Sequence, residues 1–464
     1  MPTPSPASDA SSDALFPETR RALMHRIAVA QSTSRTPSLV AAVVRDGRTV
    51  WTGARSCVDG HAPDGDTQYR IGSITKTFVA VLVMRSRDAG RLGLDDPVDK
   101  YLGATAADGV TIRQLLAHTA GLASESPGPW WERTPGALRP DLDGVLGERA
   151  RLHPAGERHH YSNPGFALLG AVVERLHDGR PWDEVLWSQV LEPLGMTRTS
   201  RRPQAPHAGG WAVHPYAELM LPEAVHETGL MAPAGELWST ADDLCRWAAF
   251  LAAGDEHVLS AATLEEMRRP AAPSGDYGLG LQVATAPDGR QFVGHGGSMP
   301  GFVAALWCDV AEGLGAAVLA NSTTGAPTGV IARDLLAIVT EREPRIPEPW
   351  RPVSDPDPEL LALTGPWYWG TSPHVLRLAA GRDLEIAPAT PGAGRGARFR
   401  AGRDGTWTGL EGYYDGETLR AVRSADGTVT HLDVGSFVFT RTPYDPAAPV
   451  PGGVDPTGWG THGA

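Results

Sequence analysis

Ser73-Ile74-Thr75-Lys76 sets a lysine three residues after a serine in a chain that otherwise almost avoids lysine: Lys76 is one of two, against 39 arginines. Arginine supplies positive charge equally well, but its guanidinium does not give up a proton under ordinary conditions. A lysine at this spot therefore points to an amine that must work deprotonated. Positions i and i+3 share a helix face with Cβ atoms about 5–6 Å apart, so the amine can reach the hydroxyl. To act as a base near neutrality its pKa must fall from about 10.4 to roughly 7–8, which needs burial or a neighbouring cation. Ile71, Ile74, Phe78, Val79, Val81, Leu82, Val83 and Met84 give the segment the content of a core helix, which supplies the burial.

Working outward, residues 1–15 are rich in Pro, Ser, Ala and Asp and read as disordered. A helix is expected from Pro17 to about Ala30. Ser38 to Val44 and Thr49 to Ala54 are β-prone runs flanking Asp46-Gly47, a strong hairpin signal. Residues 94 to 255 read as helices and long loops, with helices near Thr111 to His118, Pro164 to Leu176 and Thr240 to Ala253. Strands return at Gln291 to Gly294, Gly301 to Asp309 and Gly315 to Asn321, before a helix from Thr328 to Arg342. A sheet built from both ends, with a helical lobe inserted between them, leaves a cleft where the two meet.

This first domain, 16–342, ends at a linker over 343–358, where six of sixteen residues are proline and regular structure is disfavoured. A second domain, 359–445, carries Asp404-Gly405, Asp415-Gly416 and Asp426-Gly427 about eleven residues apart, the turn spacing of an antiparallel sheet or small barrel. A Pro- and Gly-rich tail occupies 446–464.

The 464 residues carry a net charge of −13 and a pI near 5.6, which disfavours nucleic acid or an anionic membrane surface as main partner. Cys57, Cys245 and Cys308 lack metal-ligand spacing and do not form a disulfide framework. The N-terminus has no basic region followed by an apolar run, and no run reaches the roughly 18 apolar residues of a membrane span. A cytoplasmic protein without metal or cofactor is expected.

Two further segments join Ser73 and Lys76: Tyr161-Ser162-Asn163, opening an expected helix, and His295-Gly296-Gly297, following an expected strand. The S-x-x-K spacing is a mark of class A β-lactamases and penicillin-binding proteins. With the three motifs in this order, and with TIRQLLAHTAGL at 111–122 and GHGGSMPGF at 294–302, the chain resembles the serine β-lactamase and penicillin-binding-protein superfamily, especially its class C-like branch. The resemblance covers about residues 17–342. It implies an α/β (α+β) fold, an antiparallel sheet with flanking helices and a helical lobe, here followed by an all-β domain.

The resemblance also implies roles. Ser73 attacks an acyl carbonyl while Lys76 or Tyr161 takes its proton, and an acyl-enzyme divides one difficult step into two easier ones. Tyr161 relays a proton to the leaving group, and Asn163 orients Lys76 or a substrate amide. The backbone amides of Ser73 and Ser298 form the oxyanion hole. Gly296 and Gly297 line the substrate position. His295 stands where many relatives have lysine followed by threonine, a set suited to a substrate carboxylate. A histidine, charged or not according to pH, and a glycine without a hydroxyl favour an ester or thioester donor over a terminal acid.

The β domain behind a Pro-rich linker is similar to the penicillin-binding-protein-type thioesterases, which take a nonribosomal peptide from a carrier protein and release it as a macrolactam, and which have a lipocalin-like C-terminal domain. That likeness implies a peptidyl thioester substrate and a peptidyl carrier protein as partner. Arg441, near the end of the β domain, reads either as reaching into the substrate cleft or as an exposed strand-end arginine. The alternative is an intracellular serine hydrolase: an esterase, D-amino-acid peptidase or D,D-carboxypeptidase-like enzyme. Outside the motifs, His159 and His160 read as loop histidines and His118 as a helix-end dipole partner. Trp130 and Trp131 wall a cleft or pack under their loop. Arg198, Arg201 and Arg202 read as a solvated basic cluster.

Overall fold

The computed structural model describes residues 15–286, 289–347, 349, 350, 352–390, 392, 394–402, 404–443 and 449. The segment expected to be disordered, up to residue 14, and the C-terminal tail, apart from residue 449, lie outside the described residues. The chain divides into two compact units, Met1–Arg345 and Ile346–Ala464.

In the first unit, β1 (Ser38–Arg45) and β2 (Arg48–Ser56) form the hairpin around Asp46-Gly47, where both φ angles are positive, at 50° and 78°. The short strands β3 (Tyr69–Arg70), β4 (Trp211–Val213), β5 (Met220–Pro222) and β6 (Trp238–Ser239) pair as β3 with β6 and β4 with β5. Then come β7 (Gln282–Thr285), β8 (Gln291–Met299), β9 (Phe302–Asp309) and β10 (Leu314–Ala320). The main sheet runs β2-β1-β10-β9-β8-β7, every pair antiparallel. Both ends of the unit thus contribute to one sheet, around the inserted helical region.

The sheet is buried on both faces, and the period of two in its central strands shows how. Val40, Ala42 and Val44 of β1 enter the core shared with the helices Thr75–Asp88, Asn163–Leu176 and Ala241–Ala253. Leu39, Ala41 and Val43 enter a second core beneath the helices Pro17–Thr33 and Thr328–Arg342. Alternate residues of a strand point to opposite faces, so a strand covered on both sides becomes continuously apolar. β10, Leu314 to Ala320, is buried throughout for the same reason.

The second unit is a closed eight-stranded antiparallel barrel, lipocalin-like in its closure: β11 to β18 span Gly365–Trp369, Ser372–Leu378, Leu384–Pro388, Ala397–Ala401, Trp407–Gly409, Thr418–Arg423, Val429–Val434 and Phe437–Thr440. Each strand pairs with its successor, and the Tyr368 to Thr440 pairing closes the ring, which leaves no sheet edge. Trp367, Leu376, Ile386, Phe399, Leu432 and Phe439 fill its interior. Gly405, Gly416 and Gly427 take positive φ at the turns that the Asp-Gly repeats announce.

Candidate active site

Ser73 sits in a single 3-10 turn, Gly72–Ile74, that runs directly into the helix Thr75–Asp88. This helix is core on nearly every side, so Lys76 near its start is fully buried. Its Nζ lies 3.0 Å from Ser73 Oγ and 2.6 Å from the Ala234 carbonyl oxygen. The Tyr161 ring centroid is 4.9 Å from the same nitrogen, and the Tyr161 phenol interacts with the Ser73 side chain. Tyr161 is placed by the loop before the helix Asn163–Leu176, whose N-cap is Ser162: its hydroxyl accepts from the Gly165 amide.

From the other side, β8 packs against the nucleophile turn more closely than side chains allow. A Cβ on Gly297 would lie 1.9 Å from the Ile71 carbonyl oxygen and 3.1 Å from Ser73 N. A Cβ on Gly72, where φ is +52°, would lie 2.4 Å from Ser298 N. Two glycines thus bring the Ser298 and Ser73 backbones together, the arrangement an oxyanion hole needs. A cleft of about 320 Å³ is lined by Ser73, Tyr161, His295, Gly296, Gly297 and Ser298.

Burial separates the titrating groups. It lowers Lys76 to about 7, against the opposing pull of the Glu125 and Glu132 carboxylates. Burial raises Tyr161 above the ordinary phenol range and, reinforced by Lys76, lowers His295 to about 3. At neutral pH the cleft therefore presents a titrating amine, a protonated phenol and an uncharged imidazole.

A family model described as Beta-lactamase matches residues 21–341. The chain belongs to the Beta-lactamase family. Residues 356–441 match a second model, the Domain of unknown function (DUF7586). Penicillin-binding protein 4* of Bacillus subtilis is 28% identical over 259 residues, 50% of this chain and 56% of that protein, and the chain spans about half the length of the first curated relatives it matches. The crystal structure of SurE aligns with a TM-score of 0.56 and 26% identity over 92% of this chain and 99% of that one. A D-stereospecific amidohydrolase from Streptomyces sp. aligns with a TM-score of 0.54 and 27% identity over 70% and 97%.

Within this Beta-lactamase-family site, several residues take positions that differ from the sequence reading. Gly296 and Gly297 lie inside β8, not after a strand, and at Gly297 the close approach to Ile71 and Ser73 leaves no room for a side chain. Asn163 does not hydrogen-bond Lys76: its Nδ2 donates to Glu125 Oε1 at 2.9 Å. His118 is not a charged helix-end partner, since it is buried, its pKa is pushed well down by burial, and its Nδ1 accepts the Ser162 amide at 3.0 Å. Its ring lies 4.1 Å from that of Tyr161 and so backs the phenol.

Arg441 is occupied within its own barrel. The guanidinium donates to the carbonyls of Ala362, Thr364 and Pro366 and covers the Trp367 ring at 4.1 Å. The Arg198, Arg201 and Arg202 cluster is likewise engaged locally, with Asp66, Glu236 and Glu227 at 3.3, 3.3 and 3.0 Å. Trp131 is buried while Trp130 is 58% exposed, so the pair divides between packing and surface. His160 Nε2 lies 3.2 Å from Ser124 Oγ. Among the described residues no helix is long and apolar enough to cross a membrane.

Sequence reasoning missed Tyr277, whose hydroxyl lies 3.0 Å from His295 Nε2, and the carboxylates Glu125 and Glu132. It also missed Arg70, three residues before the nucleophile and buried, whose three guanidinium nitrogens have no hydrogen-bond partner among the described residues. The isolated presence of an arginine within an apolar run, YRIGS at 69–73, was the one signal for it.

Proposed function

We propose that the protein is a serine hydrolase of amide or ester bonds whose acyl group belongs to a D-configured residue. The observation that carries the chemistry is Ser73 Oγ at 3.0 Å from a Lys76 amine that burial has brought to about 7. Lys76 takes the hydroxyl proton as Oγ bonds to the carbonyl carbon, and the oxyanion is received by the Ser73 and Ser298 amides. Tyr161, held protonated by burial, hands a proton to the departing amine or alkoxide and is replenished from Lys76. Water then attacks the Ser73 ester, its proton passes through the same pair, and the acid leaves with Ser73 restored. The D-configuration is supported by the names of similar structures, the D-stereospecific amidohydrolase and SurE with D-Leu.

A second reading replaces water by the amine of the bound peptide, giving a macrolactam from a peptidyl thioester delivered by a carrier protein. It is supported by the closed barrel that follows the catalytic unit in the chain, the feature on which the resemblance to the thioesterases rests. Incubation with D-aminoacyl amides and with a linear peptidyl thioester ending in a D-residue, beside Ser73→Ala, tests both by mass spectrometry. Ser73-dependent acids support hydrolysis, and a product lighter than the acid by one water supports cyclisation. No turnover and no fluorophosphonate adduct at Ser73 would overturn both.

A further inference from the structure

The loop that carries Trp130 and Trp131 holds two carboxylates beside the catalytic centre, one on each indole. Trp131 Nε1 donates to Glu125 Oε2 at 2.6 Å, and Trp130 Nε1 donates to Glu132 Oε2 at 2.8 Å. An indole N–H fixes a carboxylate without cancelling its charge. Among the described residues neither Glu125 nor Glu132 has an ion-pair partner within 4.0 Å; Arg70 and Lys76 act on Glu132 from beyond that distance, and burial raises its pKa. Both carboxylates act electrostatically on Lys76, and Glu125 also on Tyr161, so the negative charge lies within reach of the reacting groups.

The Asn163 amide provides a second, independent sign of a ligand. A carboxylate only accepts hydrogen bonds, so the Asn163 atom 2.9 Å from Glu125 Oε1 must be the NH₂ group. That orientation fixes the amide oxygen as the free end. Oδ1 is buried without a hydrogen-bond partner among the described residues, in a side chain whose residue is only 8% exposed. Lys76 does not satisfy it, since its hydrogen bonds go to Ser73 and Ala234. A buried acceptor left open is uncommon, and next to unpaired carboxylates it asks for a donor carrying positive charge.

We propose that Glu125, Glu132 and the Asn163 amide oxygen form a subsite for a protonated amine, the free amino group of the acyl donor. This rests on the reading of Ser73 as the acylated serine, and it narrows the substrates to donors with an uncapped amine near the scissile carbonyl. An ammonium has three N–H donors for carboxylate and amide acceptors. Its charge also offsets the carboxylates that otherwise favour the protonated form of Lys76. N-acylation removes both the charge and the donors.

The test compares kcat/KM for D-phenylalanine, D-leucine and D-alanine p-nitroanilides with their N-acetyl forms, in the wild type, Glu125→Gln and Glu132→Gln, alongside fluorophosphonate labelling of Ser73. The wild type is expected to prefer the free amine, and each substitution to reduce that preference by about tenfold or more, the loss that follows removal of a charged hydrogen-bond partner. Using the ratio of two substrates cancels any general loss of folded enzyme, and the two variants report independently. Labelled enzyme with no preference for the free amine, or no turnover of either form, overturns the subsite and leaves the serine reading standing. A preference unchanged in both variants overturns the assignment to these carboxylates. Absence of labelling overturns the serine reading itself.

Discussion

The Tyr277 hydroxyl lies 3.0 Å from Nε2 of His295, while His295 Nδ1 lies 2.5 Å from the Gly296 carbonyl oxygen. A carbonyl only accepts, so Nδ1 carries the proton and Nε2 accepts from the phenol. Both ring nitrogens are used by an uncharged imidazole, which burial already favours by lowering the pKa to about 3. The lysine of many relatives is thus replaced by a neutral spacer rather than by a weaker cation.

The pH dependence of acylation should follow from this. Lys76 acts as a base only when deprotonated, and its pKa is lowered to about 7; kcat/KM is therefore expected to fall as pH drops below about 7, with the slope of one proton. The groups that act on Lys76 are the Glu125 and Glu132 carboxylates, His118 and His295. Both imidazoles are held neutral by burial, so no second inflection is expected near the ordinary histidine range. A profile from pH 5 to 9 that fell with the slope of two protons would contradict the neutral His295.

Lys76→Arg separates charge from proton acceptance. Arginine keeps the positive charge but does not deprotonate, so fluorophosphonate labelling of Ser73 is expected to slow by about 10²- to 10⁴-fold, the usual worth of a general base. Labelling at the wild-type rate would remove Lys76 from that role.

The elements legible in the sequence were those encoded locally. The spacing of Ser73 and Lys76, the Asp46-Gly47 hairpin and the Asp-Gly repeats of the barrel each depend on neighbours a few residues apart. β7 escaped because Gln282–Thr285 is four residues long with only Val283 buried, too short for alternation to register. The electrostatic frame escaped for another reason: Glu125 meets Asn163 across 38 residues of chain and Tyr277 meets His295 across 18. Pairings of that separation are decided by topology, which no local period reports. Arg441 could be placed at a strand end, but whether it faced solvent, a cleft or three carbonyls depended on how the barrel closes.

Arg441→Ala should destabilise the second unit. The side chain satisfies the carbonyls of Ala362, Thr364 and Pro366 and covers Trp367, tying the end of the last strand to the helix and strand that begin the barrel. Loss of charge-assisted hydrogen bonds and a cation–π contact at a partly exposed site is expected to cost about 2 kcal/mol. A lower transition for this unit in calorimetry, or a lower denaturant midpoint, would show it; an unchanged transition would make the contact incidental.

Gly296 and Gly297 are neighbours with opposite tolerances. A Cβ on Gly297 would penetrate the Ile71 carbonyl, at 1.9 Å, whereas a Cβ on Gly296 meets nothing within 4 Å. Gly297→Ala is therefore expected to push β8 off the nucleophile turn and displace the Ser298 amide, with a rate loss of about 10²- to 10³-fold, as for removal of an oxyanion donor. Gly296→Thr should fold normally, since a β-branched residue suits an extended strand. It also places a hydroxyl where many relatives carry one. If the missing hydroxyl is part of what disfavours acidic donors, Gly296→Thr should raise kcat/KM for a donor with a free carboxylate beside the scissile bond relative to its methyl ester. An unchanged ratio would remove the Gly296 position from that selectivity and leave the neutral His295 to account for it.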